Sequence, residues 1–341
     1  MIRRAPTSIL VLAGVIGSAC PSMASITCVT ARSYRMVAED YDGTCASVYV
    51  IEMYACTDDL NDVVLNVYNF SWGQGPCYQS FTSTGWIPTN LGGSFDTPAL
   101  RKADSFVTIG GFGYDRDQAP GVAPGTGLDP NFGGNNVPSP EPQAGWYNGS
   151  PLNLNGQVTT YNNDFNGVLL ARFASLEPLQ FGGVSVELTW NQGPGTQGNQ
   201  QGFIAFTYYN DCSQSDLDHD LIVGSGDLGL LLGEFGNSCS IADIDGDGVV
   251  GAEDLGMLLG DWGEKCEFWR LHTGFGSRGT VRLLPGGGGD LDSDGRIGEA
   301  DLQRWMREGP AGEEACDING DGAIDGADLG VLLANWTPPA E

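Results

Sequence analysis

Four stretches of this chain space their carboxylates as a hard cation requires. They are Asp216–Asp227 (DLDHDLIVGSGD), Asp243–Asp254 (DIDGDGVVGAED), Asp290–Asp301 (DLDSDGRIGEAD) and Asp317–Asp328 (DINGDGAIDGAD). Counted from its first residue, each offers acid or amide oxygens at positions 1, 3 and 5 and an Asp at 12. In a tightly wound loop the odd positions turn inward together, position 7 adds a backbone carbonyl, and position 12 closes the shell from the first turn of a following helix. Calcium takes six to eight such oxygens with flexible geometry. Magnesium needs a stiffer octahedron, and zinc prefers nitrogen or sulfur. The bend at position 6 favours glycine, which Gly248, Gly295 and Gly322 supply. Leu221 stands there in the first loop, which ranks that site weakest.

Short helices must hold position 12 in place. After each loop comes an apolar set: Leu228, Leu231, Leu232 and Phe235; Leu255, Leu258, Leu259 and Trp262; a shorter Leu302, Trp305 and Met306; and Leu329, Leu332, Leu333 and Trp336. The i, i+3, i+4, i+7 spacing is one face of a helix. Gly236, Gly263 and Gly309 follow as stop signals, with Pro310 and Pro338 reinforcing two ends. Loop starts lie 27 residues apart in the first two copies, 27 in the last two and 47 between the pairs. The spacing predicts two modules, 211–263 and 290–337, with a spacer over 264–289. Helices of about ten residues are marginal alone, so facing pairs must bury their Leu and Trp faces together.

A loop followed by one helix, with Asp rather than Glu at position 12, resembles the dockerin type I repeat, a relative of the EF-hand. The copies that carry the resemblance best are DINGDGAIDGADLGVLLANW (317–336) and DIDGDGVVGAEDLGMLLGDWG (243–263). It covers residues 216–262 and 290–336 and implies up to four Ca²⁺. Position by position, the implied ligands are Asp216, Asp218, Asp220 and Asp227; Asp243, Asp245, Asp247 and Asp254; Asp290, Asp292, Asp294 and Asp301; and Asp317, Asn319, Asp321 and Asp328. The implied carbonyls come from Ile222, Val249, Arg296 and Ala323. The family docks onto cohesin domains and attaches polysaccharide-degrading enzymes to scaffolds. Positions 10 and 11, often used in that recognition, repeat no common pair here: Ser225-Gly226, Ala252-Glu253, Glu299-Ala300 and Gly326-Ala327.

Residues 25–210 have a different character. Ser47–Ala55, Val63–Phe70, Ser105–Phe112, Val168–Phe173, Val184–Trp190 and Gly202–Tyr209 are β-branched and aromatic and are separated by turn residues, with no sustained helical period. They predict an all-β domain, an antiparallel sandwich or jelly roll. The Gly/Pro/Asn-rich stretch 113–157 reads as a long loop within it. Trp72, Trp86, Trp146 and Trp190 serve as core anchors or, alternatively, as platforms for sugars.

Residues 1–24 read as a secretory signal: Arg3 and Arg4, then an apolar run over Ser8–Gly17 too short to span a bilayer, then Ser22-Met23-Ala24 before the cleavage point. The expected mature protein is extracellular, without membrane insertion. Removing Cys20 leaves eight cysteines in two groups, Cys28, Cys45, Cys56 and Cys77, then Cys212, Cys239, Cys266 and Cys316. An even count in an exported chain predicts disulfides, and each group allows three pairings.

The chain of 341 residues carries a formal charge of −28, and residues 211–341 hold 27 of its 43 acids against seven Lys and Arg. That balance excludes an electrostatic nucleic-acid binder. Gly274–Gly279 matches GxGxxG but has no βαβ context, so it gives no dinucleotide site. His219 and His272 have no evident catalytic partners. Three functions follow. The first is a non-catalytic, calcium-dependent attachment protein with a cohesin-like or other cell-surface partner. The second is a polysaccharide-active glycoside hydrolase, which would need two converging carboxylates. The third is a carbohydrate-binding protein.

Overall fold

A computed structural model of the chain describes residues 26–337 except 58, 74, 89–95, 111–124, 151–154, 162–164, 178–181, 194–199, 209–213, 219, 221, 266–288, 293, 295 and 319–321. The leader with Cys20, nearly all of the spacer with Gly274–Gly279, and Cys212, Cys266, His219, His272, Leu221, Gly295, Asn319 and Asp321 therefore lie outside the described residues.

Two antiparallel sheets form the N-terminal half. The first joins β1 (Ile26–Glu39), β2 (Cys45–Thr57), β8 (Phe165–Ser175) and β4 (Phe106–Val107) in that order, with β7 (Thr159–Tyr161) also on β8. The second runs β10 (Gln200–Tyr208), β9 (Gly182–Asn191), β3 (Val63–Trp72), β6 (Ala144–Asn148), β5 (Thr126–Leu128). Five of the six predicted segments match long strands over their described residues, while Ser105–Phe112 yields only the two-residue β4. The stretch 113–157 is more than a loop, because it supplies β5 and β6 to the second sheet.

The sheets face each other across one core. Met53, Ala55, Val168, Leu170 and Phe173 from the first meet Val64, Val67, Phe70, Val186 and Leu188 from the second. Trp86 and Trp146 are wholly buried there, and each indole N–H donates to a carbonyl, Val137 O at 2.8 Å and Thr108 O at 3.0 Å. Buried indoles need such partners. Phe70 lies 5.1 Å from Phe173 and 5.3 Å from Trp146. Trp190 is buried and Trp72 stacks on Phe173, so all four tryptophans serve the sandwich as packing.

The outer face of the first sheet is covered by α1 (Pro98–Lys102). Val48, Val50 and Ala174 pack there with Ala99 and Ala103. A buried ion pair shares this layer. Arg172 Nη2 lies 2.8 Å from Glu52 Oε1, and the Tyr34 and Tyr54 hydroxyls also donate to that carboxylate. Burial pushes the Glu52 carboxyl upward, but Arg172 and the two hydroxyls outweigh it and hold it below its ordinary value.

Among the described residues four further α-helices follow: α2 (Ser225–Gly233), α3 (Ala252–Gly260), α4 (Glu299–Glu308) and α5 (Gly326–Ala334). Gly236 and Gly263 take positive φ of 85° and 86° just beyond α2 and α3, as helix stops do. Gly309 does not stop α4. Its φ is −55°, a 3₁₀ turn continues over Gly309–Ala311, and Gly312 ends it at φ 79°.

Helices α4 and α5 share a core with the outer face of the second sheet. Val63, Leu65 and Tyr147 pack with Leu302, Trp305, Leu329, Leu332 and Leu333. Two glycines let α5 lie directly on the strands. A Cβ on Gly326 would meet Tyr68 Cβ at 2.0 Å, and one on Gly330 would meet Thr189 Cγ2 at 2.4 Å. Asn66 Nδ2 donates to Gly326 O at 2.7 Å, and the Thr189 hydroxyl donates to Asn66 Oδ1.

The helices α2 and α3 are held differently. Their small core comprises Leu217, Val223, Leu231, Ile244, Val250 and Leu258. Arg35 Nη1 donates to Asp243 O at 2.7 Å, and a disulfide joins Cys45 to Cys239 with a Cα–Cα distance of 5.4 Å. This bond overturns the expectation of pairing within two separate groups: it crosses from the sandwich into the helical half. The sequence grouping followed chain distance, whereas folding sets Cys45, at the start of β2, beside a residue 194 positions away. Cys56 is disulfide-bonded and stands opposite Cys28 in the strand register, while Cys77 and Cys316 are buried free thiols.

The close approach of α5 predicts opposite outcomes for equivalent glycines. Gly330→Ala forces a Cβ into Thr189 and is expected to lower stability by about 1–3 kcal/mol, as overpacking does. Gly256→Ala, at the same place in α3 with no atom within 4 Å, is expected to raise stability by about 0.5–1 kcal/mol through helix propensity alone. Urea unfolding of the two variants checks the contrast.

Candidate metal-binding loops

Each loop is shaped by carboxylates that accept from its own backbone. At position 3, Asp218, Asp245 and Asp292 accept through Oδ1 from the N–H two residues on, at 3.0, 2.9 and 3.1 Å. At position 5, Asp220, Asp247 and Asp294 accept in the same way from Ile222, Val249 and Arg296 at 2.9, 2.9 and 2.8 Å. Successive Asx turns wind the chain into a coil, which is why Asp and Asn suit these places. Asp243, at position 1, accepts from Gly246 N at 2.9 Å and Gly248 N at 3.0 Å. Asp317 accepts from Gly322 N at 3.0 Å. Gly248 and Gly322 carry φ of 100° and 89°, the left-handed bend expected at position 6.

Position 12 is the buried anchor. Asp227, Asp254, Asp301 and Asp328 are between 0% and 2% exposed. Asp254 Oδ1 accepts from Ile244 N at 2.6 Å and Asp245 N at 3.0 Å, and Oδ2 accepts from Gly251 N at 2.6 Å. Asp227 repeats all three bonds with Leu217, Asp218 and Gly224, and Asp301 with Leu291, Asp292 and Gly298. Asp328 accepts from Asp325 N at 2.9 Å. One side chain thus clips the start of its loop to the start of its helix, satisfying a helix-end N–H that has no partner within the helix. Burial pushes the Asp254 carboxyl up, but the backbone N–H groups of Gly251, Asp245 and Ile244 prevail and hold it below its ordinary value.

The loops also clasp one another. Val250, at position 8 of the second loop, exchanges backbone bonds with Gly236 and Asn237 after α2, and Val223, at position 8 of the first, does so with Gly263 and Glu264 after α3. In the other pair Thr337 N donates to Ile297 O at 2.8 Å.

Three of the four loops bring carboxylate oxygens together. Asp216, Asp218 and Asp227 form one group, Asp243, Asp245 and Asp254 a second, and Asp290, Asp292 and Asp294 a third, each with its oxygens within 4.8 Å of one another. Asp220 and Asp247 are exposed and stand outside their groups, as does the buried Asp301 outside the third. In the fourth loop Asp317, Ala323 and Asp328 are described and Asn319 and Asp321 are not. A donor set made wholly of oxygen, with backbone N–H groups ordering it, suits a hard divalent cation rather than a soft one. One contributor escaped sequence reasoning. A Cβ on Gly226, at position 11, would come within 2.0 Å of Asp218 Oδ2, so a larger residue there would oblige that carboxylate to shift. Its mark in the sequence is the Ser225-Gly226 pair at positions 10 and 11 of the first loop, where the other loops carry Glu253, Ala300 and Ala327 at position 11.

In the sandwich, burial pushes the Asp104 carboxyl up to about 8. It is fully buried, accepts from Ser80 N and Ser83 Oγ, and braces the turn before α1. No helix among the described residues is long and apolar enough to cross a membrane. Comparison with protein-family models, with curated proteins and with solved structures finds no match in any of the three.

Asp254→Asn keeps the volume and loses the charge, and it turns an N–H donor toward Gly251 N. In EGTA, where only the backbone bonds are at stake, it is expected to cost about 1.5–3 kcal/mol, the range for hydrogen bonds to a charged group. Chemical denaturation read by far-ultraviolet circular dichroism measures it.

Proposed function

We propose that this chain is an exported calcium-binding protein whose two dockerin-like loop–helix pairs fold round Ca²⁺ and serve extracellular attachment, with the β-sandwich as the carried or structural unit. The single observation that carries the reading is the convergence of three carboxylates within 4.8 Å in each of three loops built to one pattern. Asp216, Asp218 and Asp227, with their counterparts in the other loops, would hold the ions, and the fourth loop would join through Asp317, Asn319, Asp321 and Asp328. Calcium would supply the positive charge that lets these oxygens share a small space. A cohesin-like or other cell-surface protein is the proposed partner.

A second reading, carbohydrate binding, draws on a cleft of about 670 Å³ between α4, β6 and Trp336 just beyond α5; Glu299 is the one carboxylate among its described lining residues, so they offer no pair for hydrolysis. Tyr147 and Trp336 offer aromatic walls there, and Ser150, Glu299, Gln303 and Arg307 offer hydrogen-bonding groups. Aromatic walls with a few polar groups suit a small ligand.

Calorimetry of the full chain is expected to show calcium uptake with affinities near 10⁻⁴ M or tighter, as in extracellular modules. At a hundredfold excess over the dissociation constant, each occupied site is expected to add about 2.7 kcal/mol of stability. If a chelator leaves the circular dichroism and melting unchanged, the calcium reading fails. For the second reading, a glycan array probed with the chain and with Trp336→Ala is decisive: a signal lost in the variant supports sugar binding in the cleft, and a signal retained removes it.

A further inference from the structure

We infer that the two helical pairs have different duties: α4 and α5 are committed to the chain's own sandwich, and the face of α2 and α3 receives a separate protein whose apolar surface is rimmed by Lys and Arg. The inference rests on the calcium reading, because the loops hold these helices. Its starting point is a contrast between equivalent positions. In α5, positions 10, 14 and 17 of the repeat are Gly326, Gly330 and Leu333, and all three are covered by the second sheet. The same positions are Ser225, Gly229 and Leu232 in α2, and Ala252, Gly256 and Leu259 in α3. Nothing lies within 4 Å of a Cβ placed on Gly229 or Gly256. Leu232 is 55% exposed, Leu259 52%, Phe235 51% and Trp262 47%. One sequence plan thus has its stripe buried in α5 and open in both α2 and α3, while α4 carries Glu299, Gln303 and Met306 at the same positions and packs on the sandwich through Leu302 and Trp305 instead. Large apolar side chains repeated at equivalent exposed places mark interaction surfaces rather than scattered surface residues.

Charge selects the occupant. Residues 211–264 hold thirteen Asp and Glu and no Lys or Arg. Two bound calcium ions leave that surface strongly negative, so a second copy presents like charge against like, and an anionic bilayer does the same. An apolar patch ringed by Lys and Arg meets both features at once.

The test uses the calcium-loaded full chain and two synthetic amphipathic helical peptides with one leucine face, rimmed by lysine in one and by glutamate in the other. The lysine-rimmed peptide is expected to bind, and the Leu232→Asp/Leu259→Asp double variant is expected to bind it about 10- to 100-fold more weakly through loss of buried leucine contact. The added acids would strengthen mere charge attraction, so undiminished binding by the variant overturns the inference. Equal binding of the glutamate-rimmed peptide overturns it as well. Both leucines are exposed, and an unchanged calcium titration shows that the variant is folded. A sedimenting dimer dissolved by the double substitution makes the occupant a second copy, and leucine-dependent binding to phosphatidylcholine vesicles makes it a membrane; either result overturns the proposal. Calcium uptake without peptide discrimination defeats the docking face alone, whereas no calcium uptake defeats both readings.

Discussion

Like charges confined to a small volume are the constraint from which the helical half follows. Two carboxylates 4.8 Å apart repel by about 3–4 kcal/mol at an effective dielectric near 20. A hydrogen bond to a charged group returns about 1.5–3 kcal/mol. The chain therefore supplies backbone donors to many of these acids: three N–H groups on Asp227, Asp254 and Asp301, two on Asp243, and one each on the acids at positions 3 and 5 of the first three loops. These bonds decide where each carboxylate sits. They do not remove its charge, and the helices they start are only nine or ten residues long. On the proposed reading a divalent ion completes the balance, and folding of these loops and binding of the ion are one equilibrium.

The second pair of helices has another source of support. Leu329, Leu332 and Leu333 lie against Val63, Leu65 and Tyr147, so α5 and the second sheet desolvate each other. The Thr189–Asn66–Gly326 chain of hydrogen bonds fixes the register of that contact, because Asn66 is buried and its amide has to find partners. In contrast, the first pair meets the sandwich at the Asp243 carbonyl and the Cys45–Cys239 bond. One attachment is an apolar face and the other is a tether, which is why the same repeat leaves leucines buried in one place and open in the other.

The sequence makes the loops legible because spacing and chemistry repeat together. Oxygens at 1, 3, 5 and 12, glycine at 6 and a leucine stripe in phase leave few folds for the backbone. The strong strands are legible for a related reason, since β2 and β8 are long runs of branched and aromatic residues. Segment β1 is harder, because Arg32, Ser33 and Arg35 interrupt its apolar pattern beside the leader, and Arg35 has its role at a carbonyl 208 residues away. Segment β6 hides among Gly, Pro and Asn, and its Gly145 is there because a Cβ would meet the Asp129 carboxylate at 2.1 Å. Long-range choices leave no local mark. Neither the partner of Cys45 nor the covering of Gly330 by Thr189 is encoded within a dozen residues of either.

The calcium reading also bears on where the chain can mature. Sites of about 10⁻⁴–10⁻³ M affinity belong to extracellular modules, whereas intracellular sensors work at 10⁻⁷–10⁻⁵ M. Loops of the weaker class stay uncharged by metal in a sensor's surroundings and fill outside. The Cys45–Cys239 bond points the same way, because disulfides persist in oxidising compartments. The two requirements reinforce each other. Ordering the second loop sets Asp243 beside Arg35 and holds Cys239 near Cys45. A cross-link over 194 residues in turn removes much of the freedom the acidic loops would regain on losing their ions. Export, oxidation and metal loading would then be successive steps toward one rigid attachment of the first helical pair to the sandwich.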